Sequence, residues 1–289
     1  MFVKWMRSGI AFVLLSLCLS VPTLAEQRAN GIEIAIAPFL PVHTMVQNYE
    51  PMRGYLERRL QRPVLFITAP DYRIFNDRTR SREYAFIVTV VNAAYLAHVD
   101  SGYIPLLRPT VYTKPALVVR KDAALGSIGE LRGKVIALPS PMAVVAMMAP
   151  AMLHEAGLDP QRDVMLRYLD THATAVNYVI SGEAAAAIVS DVALQQMPSS
   201  SRDAVTIVRT WDRGAMPGVV YLASPKLARG EAELIQKAIL DFVREPEGQA
   251  LMRRLGYGTL VPAKWDDLKP FAPYATALRE LLEPAGKKQ

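Results

Sequence analysis

Ser140, His172 and Asp191 are the residue types of a nucleophilic triad, and His43, His98, His154 and His172 are the side chains best suited to hold a metal. Neither chemistry fits its surroundings. A serine nucleophile sits on a tight elbow flanked by glycines, whereas Pro139 and Pro141 flank Ser140. The histidines lack the ligand spacing that zinc needs, and the single cysteine, Cys18, lies in an N-terminal apolar run. No catalytic residue, metal site or cofactor is assigned. What remains is a set of hydrogen-bonding and apolar residues where strands hand over to helices. Phe39 and His43 follow the first strand. Thr89 and Asn92 follow a later one, and Ser140, Met142 and Ala143 open a helix. His172 lies within Asp170-Thr171-His172-Ala173-Thr174, and Asp191 follows an alanine-rich strand. Hydroxyls, amides and an imidazole so placed can hold a small solute, the Ser140 hydroxyl acting with the amides of Met142 and Ala143. Each polar one also has a plain alternative as a helix cap or solvated side chain.

These residues depend on strands that end together. Ile32–Ala37 alternates and stops at Pro38, Pro63–Thr68 reads as a second strand, and Tyr84–Thr89 is apolar throughout, as a buried parallel strand is. Ile104–Leu107 begins a fourth. Apolar residues at helical spacing mark a helix over Met45–Leu60, broken near Pro51. A self-contained pattern follows, with strands at Lys134–Leu138, Val164–Tyr168, Ala184–Val189 and Val205–Val208 and helices at Ala143–Ala156 and Thr174–Ile180. Helices at about Glu231–Val243 and Glu247–Leu255 and one near the C-terminus complete the chain. Two extended segments, Val111–Arg120 and Val219–Ala223, bracket that inner pattern.

The reading is an α/β protein of two Rossmann-like lobes joined by a two-strand hinge, with one continuous doubly wound sheet as the alternative. Lobe 1 comprises 26–112 plus 224–289, lobe 2 is inserted over 113–223, and the hinge lies near 111–120 and 217–224. In open α/β sheets ligands lie beyond the C-terminal ends of the strands, beside helix N-termini.

Lys4 and Arg7 precede an uncharged apolar run from Gly9 to Val21, and Pro22-Thr23-Leu24-Ala25 ends in a small residue. That is the build of a secretory signal spanning 1–25, cleaved after Ala25; an uncleaved anchor is the alternative. The formal charge is +6, two units of it from Lys4 and Arg7, and the basic residues are scattered. Nucleic-acid binding needs a concentrated footprint and is not expected.

Several phrases carry a resemblance. Ser127–Ala137, reading SIGELRGKVIA, is similar to the phrase that opens the second lobe of type II periplasmic binding proteins. Gly157-Leu158-Asp159-Pro160, His172 with Val179–Ala186, and Pro217–Pro225 follow in the family's order. Tyr49–Leu56 (YEPMRGYL) resembles the phosphate/phosphonate subfamily. The resemblance implies the type II periplasmic binding protein fold and the substrate-binding component of an ABC importer. It further implies a periplasmic monomer that takes a small, preferably anionic solute such as phosphonate, phosphate or phosphite and hands it to a membrane permease. A sensor module feeding a receptor or histidine kinase is the alternative, and a fold-sharing enzyme a second. His172 matches the family's histidine, and Asp191 a position that can face an amine. The chain departs from the subfamily where a Ser/Thr- and Gly-rich turn becomes Pro139-Ser140-Pro141-Met142-Ala143, and where Thr89-Val90-Val91-Asn92 replaces a more polar, Tyr-bearing turn.

Overall fold

The computed structural model describes residues 31–283 apart from 40, 124 and 126. The expected signal segment 1–25 lies outside the described residues. Strands β1 (Ile32–Ile36), β2 (Val64–Ile67) and β3 (Phe86–Thr89) alternate with helices α1 (Val42–Leu60), α2 (Tyr72–Arg80) and α3 (Val91–Ser101), and β4 (Ile104–Pro109) closes this first run. A two-residue strand, β5 (Tyr112–Thr113), leads into β6 (Pro115–Arg120). The inserted pattern is β7 (Val135–Leu138), α4 (Val144–Glu155), β8 (Met165–Tyr168), α5 (His172–Ile180), β9 (Ala186–Ser190), α6 (Asp191–Gln195), α7 (Ser199–Asp203) and β10 (Val205–Thr210). The chain returns through β11 (Met216–Pro217) and β12 (Val220–Ala223) to α8 (Arg229–Phe242), α9 (Pro246–Leu255), β13 (Leu260–Pro262) and α10 (Ala272–Leu282).

There are two main sheets, ordered β13-β4-β12-β3-β1-β2 and β10-β6-β9-β7-β8, so the single continuous sheet is not formed. Each has the same nucleus. β1 runs parallel to β2 and β3, and β7 runs parallel to β8 and β9. Parallel strands covered by helices on both faces are apolar throughout; all of β3 and β9 is buried. An antiparallel strand then flanks each nucleus, β12 against β3 and β6 against β9. Val220–Ala223 was expected in the second lobe's range, and it hydrogen-bonds into the first sheet. Between the sheets, β5 and β11 pair antiparallel, with Thr113 opposite Met216 and Tyr112 opposite Pro217. These two strands are the crossovers, and they bring the C-terminal ends of β1, β3, β7 and β9 toward one cleft.

α1 departs from expectation. It runs unbroken from Val42 with Pro51 inside it. Proline removes one intrahelical hydrogen bond, but the buried face of Met45, Tyr49, Met52 and Leu56 continues on both sides of it and holds the helix on the sheet.

Candidate functional site

Where the lobes meet lies a small cavity of about 40 Å³, partly open to solvent. Two helices begin at its wall. α3 has Val90 at its N-cap and α4 has Ala143, and neither N-cap side chain bonds its helix end, although in α3 Asn92 Oδ1 accepts the Ala93 N–H at 3.0 Å. The first amides of a helix have no intrahelical acceptor and carry the positive end of its dipole. Val90 lines the cavity from the first lobe and Ala143, Val144 and Val145 line it from the second. Among the described residues around this cavity there is no Asp, Glu, Lys or Arg.

Its few polar side chains are largely committed to one another. Thr113 Oγ1 donates to Asp191 Oδ1 at 2.6 Å, since a carboxylate accepts. The 2.6 Å contact between Thr113 and Ser190 hydroxyls therefore has Ser190 as donor, and Ser190 Oγ accepts from the Ala193 N–H. His172, 5% exposed, is different. Its Nδ1 accepts the Ser190 N–H at 3.3 Å. That bond fixes the neutral tautomer with the proton on Nε2. Burial alone pushes its pKa down to about 4, so at neutral pH the ring offers an uncharged N–H donor.

The expected site residues divide. Phe39, Ala143 and His172 line the cavity. Asn92 is buried and spans the lobes, its Nδ2 donating to the Met142 carbonyl at 3.2 Å. Thr89 is 1% exposed and its hydroxyl has no partner among the described residues. Ser140 serves its own turn. Its Oγ accepts the Met142 N–H and its carbonyl the Ala143 N–H, so these amides are occupied and the free ones lie a step later, at Val144 and Val145. Asp191 Oδ1 accepts from Thr113, the Lys114 N–H and the Val192 N–H, tying β9 to the crossover. His43 is exposed in the first turn of α1, beside Thr44.

Several lining residues were not anticipated: Thr113, Val144, Val145, Ser190, Gln196 and Tyr257. Gln196, on α6's C-terminal side, donates from Nε2 to the carbonyl of Leu255 in the first lobe at 2.9 Å. The Tyr257 hydroxyl lies 3.4 Å from that of Tyr49.

The Asn92–Met142 bond joins the lobes directly. Replacing Asn92 by leucine should loosen the closed arrangement by about 1 kcal/mol. Small-angle X-ray scattering should then give a larger radius of gyration than for the parent; superimposable profiles would show that closure rests on other contacts.

Comparison with known proteins gives a consistent result. The model of the family described as "ABC transporter, phosphonate, periplasmic substrate-binding protein" matches residues 34–268. A search of curated proteins returns no match. Among solved structures, PhnD1 from Prochlorococcus marinus, in complex with methylphosphonate, is similar with a TM-score of 0.75 at 13% identity, covering 87% of this chain and 99% of that one. A binding protein component of an ABC phosphonate transporter from Pseudomonas aeruginosa gives 0.75 at 12% identity, covering 89% and 90%. The aliphatic sulphonate binding protein SsuA from Escherichia coli gives 0.59 at 15%, covering 87% of each chain. At these identities the structural likenesses speak to the fold.

Proposed function

Because this chain belongs to the phosphonate-binding family of periplasmic substrate-binding proteins of ABC transporters, we propose that it captures a small oxyanion, a phosphonate by preference, in the cleft between its lobes. The observation that carries this reading is the meeting of two helix N-termini, one from each lobe and neither capped by its N-cap side chain, on a cavity whose lining holds no charged side chain. Free amides and helix dipoles favour an anion there without a formal cation. The Nε2–H of His172 supplies a further neutral donor, and Phe39, Val144 and Val145 suit a short alkyl group. An anion contacting both helix ends stabilises the closed form, which is how occupancy becomes a shape the permease reads. A monomer, with cleavage after Ala25, completes the proposal; the basic and apolar stretches of residues 4–21 support export.

A thermal-shift screen of residues 26–289 against phosphonates, phosphate, phosphite, sulfonates and amino acids tests the ligand class. Ligand at a hundred times its Kd adds about 2.7 kcal/mol of stability. Val144→Pro tests the site. Val144 is the first residue of α4, where proline is tolerated, and Ala143 before it already has the φ −72°, ψ 132° that a pre-proline residue adopts. The substitution removes the Val144 N–H and exchanges the buried valine side chain for a proline ring, so Val144→Ala, which keeps the N–H, is its control. Oxyanion affinity should fall about ten- to a hundredfold, the worth of a hydrogen bond to a charged group, with the unliganded melting temperature nearly unchanged. Undiminished affinity would move the anion away from α4.

A further inference from the structure

The cavity lining also holds polar side chains that the oxyanion reading does not use. Thr113 and Ser190 have spent their hydrogens on each other and on Asp191, and Asp191 turns one oxygen to the crossover strand. Gln196 is left. It is 7% exposed, lines the same cavity as the α4 N-terminus, and its Oε1 has no hydrogen-bond partner among the described residues. Its orientation is not arbitrary. The Leu255 carbonyl can only accept, so the amide nitrogen must face it, with the Tyr257 hydroxyl against the same amide, and the oxygen itself is left a buried acceptor without a hydrogen bond among the described residues. An unpaired buried acceptor costs free energy until something donates to it.

We infer that Gln196 Oε1 reads the tail of the bound solute, selecting a neutral hydrogen-bond donor such as a hydroxyl over both a plain alkyl group and an ammonium. This rests on the oxyanion reading, which places the anionic head at the helix N-termini and so sends the tail toward the rest of the cavity. An alkyl tail leaves Oε1 unpaired. An ammonium can donate to it, but no carboxylate is among the described lining residues to balance the charge, and a buried charge without a counter-ion is expensive. A hydroxyl satisfies the acceptor at no such cost. Because Gln196 also reaches Leu255 across the cleft, a tail that engages Oε1 works on the side chain that already bridges the lobes.

Isothermal titration of the mature protein with 2-hydroxyethylphosphonate, ethylphosphonate and 2-aminoethylphosphonate tests this, alongside Gln196→Met, which keeps the length and removes the acceptor. The parent should bind the hydroxyl compound about tenfold more tightly than the ethyl compound, the worth of one buried hydrogen bond, and the amino compound more weakly than the hydroxyl one. In Gln196→Met the hydroxyl-to-ethyl ratio should fall to about one. That ratio is insensitive to any general weakening from loss of the Leu255 bond. Equal binding of the hydroxyl and ethyl compounds by the parent, or a preference that survives in Gln196→Met, overturns the assignment and leaves the oxyanion site standing. Tightest binding of the amino compound overturns it in favour of Asp191. Failure of all three to bind removes the oxyanion reading, and this inference with it.

Discussion

Between pH 7 and pH 4 the folded protein should lose about 3 kcal/mol of stability through His172 alone. The ring is buried without a charged neighbour, and burial lowers its pKa from 6.5 to about 4. The folded state therefore refuses a proton that the unfolded chain accepts. Below pH 6.5 the unfolded chain binds that proton and the folded one does not, so stability falls as the pH falls, until the folded ring also titrates near 4. Above 6.5 both states are neutral and the contribution is complete. The fall from 6.5 to about 4, at 1.36 kcal/mol for each tenfold change in proton affinity, gives the magnitude. Urea titrations at half-unit intervals should show this slope in the parent, and His172→Asn should lack it, because Asn can still accept the Ser190 N–H but cannot be protonated. Parallel pH profiles for the two proteins would mean that the ring finds an alternative, solvated position when charged.

Gly248→Ala should cost about 3 kcal/mol or more and lower the melting temperature by roughly 6–12 °C. Gly248 is the third residue of α9, in its first turn, and α9 starts four residues after α8 ends. A β-carbon there would stand 1.8 Å from the Phe242 carbonyl oxygen, 2.6 Å from its carbon and 2.8 Å from the Val243 Cα. All three are backbone atoms, so no rotamer change relieves the clash. Either the end of α8 unwinds or α9 is displaced, and the latter carries with it Leu255, the residue that anchors Gln196. Gly230→Ala in α8 is the matched control. Nothing lies within 4 Å of its added carbon, and it should gain about 0.5–1 kcal/mol by stiffening the unfolded chain. A Gly248→Ala protein melting with the parent would show that the corner is looser than its geometry implies.

Most of the sheet framework was legible from hydrophobic pattern. β1, β2, β3, β7, β8, β9 and β10 fall within two residues of the expected ends because each is a short apolar or β-branched run closed by a turn. α2 was not anticipated. Its nine residues, YRIFNDRTR, hold few apolar side chains, and its start is marked by Asp71, whose carboxylate accepts the Ile74 N–H. β13 is three residues long and gains its identity from pairing with β4, a contact no local pattern encodes. The site followed the same division. Ala143 and His172 were found because they sit at strand–helix junctions. Val144 and Val145 were overlooked because the chemistry they offer is in their main chain, hidden behind apolar side chains. Tyr257 and Gln196 come from segments far apart in the chain and meet only because α9 packs against α6, with Gly256 at φ +70° and too close to Gln195 to carry a side chain freely.

The placement of β12 has a consequence for how the molecule comes into being. β4 has β12 and β13 as its partners, and both are encoded after the whole inserted lobe. As the polypeptide emerges from its N-terminal end, the first hundred residues can assemble β1, β2 and β3, but β4 has no partner until Val220–Ala223 arrive. Closing a loop of that length delays native pairing. The strand order thus sets an order of assembly: the lobe made first is the lobe completed last.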